Sequence, residues 1–219
     1  VEIGSNDGIM LNFFKNNYKI LGVDPATNVV LRSIKNKIPA VPLFFDNSIA
    51  QKISKEWGRA KLIYGNNCIA HLNNLKDLML GVKNLLTDDG IFVIECNYWG
   101  GMVKNTNYSL IYHDHFSYFS IKPWISFAKK YKMYPFDAIV TPAQGGSLRL
   151  FLSKKKLKRT KRFNNLLSVE VKNKLNSHVT SIKYRKNVQD VSKRLRNLVI
   201  NLIKQGKKIA GYGAAAKGM

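Results

Sequence analysis

The chain has 219 residues, 45% of them hydrophobic, and a formal net charge of +23, enough for one substantial domain or one and a half around a real core. Cys68 and Cys96 are the only cysteines, too few for a disulfide framework or a cysteine zinc site. No apolar run approaches the roughly 20 residues of a membrane span, and no signal-peptide pattern opens the sequence, so a reduced, soluble, cytoplasmic protein is expected.

The charge is unevenly spread. Residues 1–150 carry 17 Lys and Arg against 11 Asp and Glu, whereas residues 151–219 carry 19 against 2. A basic excess of this size raises a nucleic-acid reading. It gathers in "KKKLKRTKR" and along one helix face, without the aromatic–basic alternation of RNA-recognition modules, so a solvated basic face is preferred. The opening "VEIG" begins directly in a strand and the closing "GYGAAAKGM" stops at a strand–turn–helix start, which reads as a fragment of a longer protein.

In chain order, "VEI" ends a strand, "GSNDG" turns, and residues 9–17 suit a helix with Ile9, Phe13 and Phe14 inward. "YKILGVD" is a second strand ending at Asp24, followed by a helix over 27–37 and a short strand in "AVPLFF". Asn47 suits the N-cap of a helix over 48–57. "AKLIYG" is a buried strand. Asn74 suits the cap of a helix carrying Leu75, Leu78, Met79, Val82, Leu85 and Leu86 at helical spacing. "DDG" turns into the apolar strand "IFVIEC". Alternating strands and helices imply a parallel sheet with helices on both faces. After a helix at 122–131, "PFDAIV" and "GSLRLFLS" form an antiparallel hairpin at the sheet edge. The sum is an α/β, Rossmann-like sheet of the class I methyltransferase kind, over residues 1–153. Residues 154–165 read as a basic linker. Residues 166–219 read as a helical segment and the start of a second Rossmann-like domain. That segment holds a long amphipathic helix marked by Val188, Val191, Leu195, Leu198, Val199 and Leu202, which Gly206 ends. "KKIAGYGAAAKG" then enters a new strand and glycine turn.

Three stretches carry chemistry. "VEIGSNDG" sets Glu2, Gly4 and Gly8 around the turn after the first strand, where glycine allows close backbone approach and a helix N-terminus offers amides. Asn6 stands where a dinucleotide-binding G-x-G-x-x-G would have its middle glycine. Acidic Glu2 and Asp7 flank the turn, which suits a cationic ligand without pyrophosphate, and S-adenosyl-L-methionine is one. Asp24, at the end of the second strand, is placed to accept hydrogen bonds from ribose hydroxyls. "GNNCIAH" follows the fourth strand and faces Asn67 and His71 to the crevice beyond the strand ends. "IYHDHFSYFS" concentrates His113, Asp114 and His115 among aromatics. Residues i and i+2 can share a metal, but no second ligand cluster is evident, and no metal is assigned. A polar knot in an aromatic core and a histidine base oriented by a neighbour remain open.

Taken together, "VEIGSNDG", "LGVDPA", "NNCIAHL", "IYHDHFSYFS", "GGSLRLF" and "IAGYGAAAKG" resemble, in order and over nearly the whole chain, the sugar C-methyltransferases of deoxysugar biosynthesis. The resemblance implies methyl transfer from S-adenosyl-L-methionine to the carbon beside the ketone of a nucleotide-linked 4-keto sugar. It implies His115 as the base, with Tyr112 and Asp114 orienting it or stabilising the oxyanion. Asn67 and His71 would position cofactor or ketone. Arg149, in "GGSLR", suits either a contact to the substrate diphosphate or a surface place on an edge strand. Asp114 departs from the family's Tyr-His-Glu-His pattern. The family's N-terminal zinc-binding domain and most of its C-terminal domain are not represented. Rival readings are an O- or N-methyltransferase on another metabolite, a nucleic-acid-associated protein, and a domain that binds cofactor without turnover.

Overall fold

A computed structural model of the chain describes residues 1–211 and 213. Seven strands form one sheet: β1 (Glu2–Ile3), β2 (Gly22–Val23), β3 (Ala40–Val41), β4 (Ala60–Asn66), β5 (Leu86–Asn97), β6 (Tyr134–Thr141) and β7 (Ser147–Ser153). Their order is β3-β2-β1-β4-β5-β7-β6. The first five run parallel, and β7 lies antiparallel between β5 and β6. This is the α/β sheet with an antiparallel edge hairpin that the sequence pattern predicts. Between Ala60↔Leu86 and Leu62↔Ile91 the register shifts, so Thr87–Gly90, which include the expected "DDG" turn, form an irregularity within β5 instead of a turn ahead of it.

Alternation along the strands separates two apolar layers. Ile63, Phe92, Ile94, Leu148, Leu150 and Leu152 pack into the main core with Ala50 and Ile53 of α2 (Asn47–Trp57), with Leu78, Met79, Val82 and Leu85 of α3 (Leu75–Leu85), and with Trp124 and Ala128 of a helix at Ile121–Lys129. On the opposite face Tyr64 joins a smaller cluster with Leu11, Ile20 and Ile38. Capping sets the helix starts. Asn74 Oδ1 accepts from Asp77 N at 3.1 Å, as expected. For α2 the cap is Asp46, one residue before the expected Asn47, because its extended backbone lets Oδ1 accept from Ile49 N at 2.7 Å. The helix expected over 9–17 shrinks to a 3-10 turn at Leu11–Phe13. Leu11 alone of its apolar residues is fully buried, while Ile9 and Phe13 are 71% and 78% exposed, so no inward stripe exists to hold a longer helix.

The remaining helices are α1 (Thr27–Lys35), α4 (Trp99–Asn105), α5 (the helix at Ile121–Lys129), α6 (Lys161–Lys172) and α7 (His178–Lys204). Helix α6 begins inside the segment expected to be a linker. Thr160 caps it, Phe163 is wholly buried in the main core, and Arg162 pairs with Asp137 of β6. Buried Glu170 accepts from the backbone N–H groups of Ile121 and Lys122 at 2.8 and 3.1 Å, and so caps α5 from 49 residues away. Helix α7 is anchored at its start, where the Tyr184 ring meets Trp99 at 4.9 Å and its hydroxyl donates to Asn107 O at 3.0 Å. Farther on, Leu195, Leu198 and Ile203 are exposed. Gly206, at φ +74°, ends the helix as expected, with Lys207 N donating to Leu202 O at 3.0 Å. Lys207–Gly211 form no strand, since no neighbouring strand pairs with them among the described residues. Tyr212 and residues 214–219, the rest of the expected strand and glycine turn, lie outside the described residues. Among the described residues no helix is long and apolar enough to cross a membrane.

Candidate active site at the carboxyl ends of the strands

The parallel register brings the ends of β1, β2, β4 and β5 side by side, pairing Ile3 with Val23 and Gly65, and Gly65 with Ile94. At the first two ends the glycine turn is knitted to Asp24. Asn6 N donates to Asp24 Oδ2 and Ala26 N to Oδ1, both at 2.9 Å. Gly4 has φ +69°, and a Cβ there would stand 2.7 Å from Cys68 Cβ, so this position demands glycine for conformation and for space. Gly8 has φ +79°, and Asn6 takes a left-handed conformation at φ +50°. Its Oδ1 accepts from Asp7 N at 2.8 Å.

Glu2 lies beneath this turn, 5% exposed, and accepts from the Tyr64 hydroxyl at 3.2 Å. Burial pushes its carboxyl up to about 7; the Tyr64 hydrogen bond opposes this, and the charges of Asp24 and Asp7 add to it. Asp24 and Asp7 thus set negative charge at the turn, and Glu2 adds to it as it ionises around pH 7. That set suits a ligand carrying a sulfonium and an ammonium group and disfavours a pyrophosphate. The donor chemistry fits S-adenosyl-L-methionine, with Gly4, Asn6, Gly8 and Asp24 as the residues that would hold it.

Beyond β4 and β5 lies a small cleft of about 120 Å³ lined by Asn67, His71, Asn97, Tyr112, His115 and Gln144 among others. Asn67, at φ +55°, donates its N–H to Glu95 O at 2.8 Å, which fixes the β4 loop against β5. His71 ends a 3-10 turn at Ile69–His71, and its Nδ1 is 2.9 Å from Asp114 O. A carbonyl can only accept, so that nitrogen carries the hydrogen. The His71 and His115 rings are 4.8 Å apart. His115 Nε2 is 3.2 Å from the Tyr112 hydroxyl, and Nδ1 is 2.9 Å from Leu110 O. Burial, then the charge of Asp114, raises the Tyr112 phenol, which keeps it a hydrogen-bond donor.

The structure thus gathers Tyr112, His115, His71 and Asn67 into one cleft. Asp114 differs from its expected place. Its carboxylate lies 3.3 Å from His113 Nε2, is half exposed, and serves the cleft through its backbone carbonyl. Arg149 Nε donates to buried Glu95 Oε2 at 2.6 Å, and Thr141 Oγ1 donates to Oε1 of the same carboxylate at 3.1 Å. One edge of the guanidinium is therefore engaged within the sheet. Two cleft residues escaped the sequence reading. Asn97 closes the buried run of β5, and a polar residue at the carboxyl end of a parallel strand is itself a signal. Gln144 is held at φ +54° ahead of Gly145 and Gly146 at +77° and +122°. Among the described residues no group of three or more His, Cys, Asp and Glu stands close enough to hold a metal.

Strand order, edge hairpin and glycine turn define a class I S-adenosylmethionine-dependent methyltransferase fold. The chain belongs to the methyltransferase-domain family, whose family model matches residues 1–131. The model described as C-methyltransferase C-terminal domain matches residues 142–219. The chain is 30% identical over 221 residues to C-methyltransferase NovU of Streptomyces niveus, covering 100% of this chain and 53% of that protein. It thus spans about half the length of this curated relative. Among solved structures it is similar to an S-adenosylmethionine-dependent methyltransferase from Anabaena variabilis, with TM-score 0.52, 13% identity, and 70% and 76% of the two chains covered. It is also similar to the PH0226 protein of Pyrococcus horikoshii, with TM-score 0.54, 12% identity, and 70% and 80% covered. At these identities the likeness is one of fold. The cofactor expected from the glycine turn and Asp24 is the one this family and fold take.

Proposed function

We propose that the chain is a C-methyltransferase that methylates the carbon beside the ketone of a nucleotide-linked 4-keto sugar. The observation that carries this reading is His115, held through Nδ1 by a backbone carbonyl with Nε2 turned to the Tyr112 hydroxyl, in a cleft lined by Asn67, whose chain neighbour Cys68 packs against Gly4 of the glycine turn. The C-methyltransferase C-terminal model over residues 142–219 and the likeness to NovU support carbon as the acceptor atom.

Carbon is a poor nucleophile until a neighbouring proton is removed. His115 Nε2 takes the proton from the ketone-adjacent carbon, and the C–H electron pair becomes the enolate double bond. The Tyr112 hydroxyl, a phenol that burial raises further above neutral, turns its hydrogen to the developing oxyanion. His71, Asn67 and Gln144 line the remaining walls and orient the ketone. The glycine turn with Asp24 would hold S-adenosyl-L-methionine, which would supply the electrophilic methyl group that the enolate carbon accepts. The exposed side of Arg149 is left to face the diphosphate. A cytoplasmic enzyme with two small-molecule ligands goes with this reading.

The test is exchange of the ketone-adjacent proton in deuterated water, followed by NMR on a nucleoside-diphosphate 4-keto deoxysugar. The chain should catalyse exchange, and His115→Ala should slow it by about 10²–10⁴-fold, the usual contribution of a positioned base. Undiminished exchange in that variant would remove His115 from the role.

A further inference from the structure

We infer that Asn97 is a positioning residue for His115: it ties the imidazole to the sheet through Nδ1 and fixes the tautomer whose basic nitrogen is Nε2. This rests on the proposed role of His115 as the base.

The tautomer follows from the partners. Leu110 O, 2.9 Å from His115 Nδ1, can only accept, so Nδ1 carries the hydrogen and the ring's lone pair sits on Nε2, facing the Tyr112 hydroxyl. Asn97 Nδ2 lies 3.2 Å from the same Nδ1, and two donors cannot share that contact. A half-turn of the amide puts Oδ1 there and gives the Nδ1 hydrogen a second acceptor. Amide orientation is decided by such partners.

What Asn97 adds is a different anchor. Leu110 belongs to the same loop as His115, five residues away. Asn97 is the last residue of β5, 5% exposed and paired in register with Ser147 of β7. It therefore holds the ring against the sheet, whereas Leu110 holds it against its own loop. Around the ring also stand His71 from the turn after β4, Tyr112 and Tyr118 from the loop, and Cys96 beside Asn97. Asp114, next in the chain, turns its carboxylate to His113. When Nε2 gains a proton, the Nδ1–H bond to Asn97 Oδ1 strengthens, and the charge created by proton abstraction is shared with the sheet.

Long-range ¹H–¹⁵N correlation spectra of the chain test this directly. There are four histidines to resolve, and loss of one signal in His115→Gln assigns the ring. The neutral His115 ring should be protonated at Nδ1. Asn97→Asp, which sets a carboxylate against Nδ1, should move its titration midpoint up by about one pH unit or more; Asn97→Leu should move it down. A ring protonated at Nε2, or a midpoint unmoved by Asn97→Asp, would overturn the inference, and so would a shift of the same sign in both variants. Should Asn97→Leu not fold, the tautomer of the unaltered chain and the Asn97→Asp shift decide. Ketone-proton exchange by His115→Ala is read separately. Undiminished exchange alongside the expected shifts would sink the base and leave the Asn97 contact intact.

Discussion

Replacing Glu2 by glutamine should make the fold more stable at pH 8 and leave it nearly unchanged at pH 4. Glu2 is 5% exposed in the middle of the sheet, and burial lifts its carboxyl from 4.5 to about 7. An acid whose folded value is raised binds its proton more tightly in the folded than in the unfolded chain. Its favourable contribution is therefore fully present below pH 4.5 and is lost as pH rises through about 7. The gap corresponds to about 3 kcal/mol at 1.36 kcal/mol per pH unit. Glutamine has the same shape, offers Oε1 to the Tyr64 hydroxyl, and does not titrate. The measurement is urea unfolding of both proteins at several pH values from 4 to 8, read as the difference in unfolding free energy so that groups titrating alike in both cancel. The difference should start near zero, rise mostly between pH 4.5 and 7, and level off at about 3 kcal/mol in favour of the variant. A difference that stays flat with pH, or a variant weaker at pH 8, would refute the reasoning. A carboxylate that destabilises the folded state at neutral pH, yet sits beneath the glycine turn, is what a cationic ligand would select. The same variant is therefore expected to bind S-adenosylhomocysteine more weakly despite its greater stability.

Asp24→Ala should weaken S-adenosylhomocysteine binding at least tenfold by calorimetry, because it removes an acceptor at the end of β2 and frees the Asn6 and Ala26 amides that shape the turn; an unchanged Kd would exclude Asp24 from the cofactor site. Phe163→Ala should cost about 3–5 kcal/mol, the usual loss for a fully buried phenylalanine, since this side chain seats α6 in the main core; a cost under ~1 kcal/mol in urea unfolding would mean that α6 is not packed as described.

The parts of the fold that were legible in the sequence are those where one local pattern has one physical solution. "LIYG", "IFVIEC" and "LRLFL" are apolar runs bounded by turn residues, and they became β4, β5 and β7. Asn74 sits before a helical stripe and caps it. The glycine turn with an acid at the end of the second strand was readable because close approach and positive φ leave few alternatives to glycine. Failures occurred where the deciding partner is distant or the local signals tie. Residues 9–17 have enough apolar side chains for a helix, but the sheet offers a seat to Leu11 and leaves Ile9 and Phe13 in water. Asp46 and Asn47 are equally good caps by type, and backbone geometry alone chooses between them.

The basic stretch shows the same limit from the other side. Read locally, residues 154–165 are mostly solvated charge and predict a linker. One aromatic, Phe163, and one of the two acids after residue 150, Glu170, make the difference. Neither is unusual in its own window. Their work is done on the main core and on the N-terminus of α5, which no sequence period connects to α6. The reading of the histidine motif divides along the same line. Tyr112 and His115 are three residues apart and meet, which proximity in the chain can suggest. The Leu110 carbonyl and Asn97, which decide where the ring hydrogen sits, belong to backbone and to a strand end. The residue types that perform chemistry were thus visible in the sequence, and the groups that set their protonation became visible only once the strands were in register.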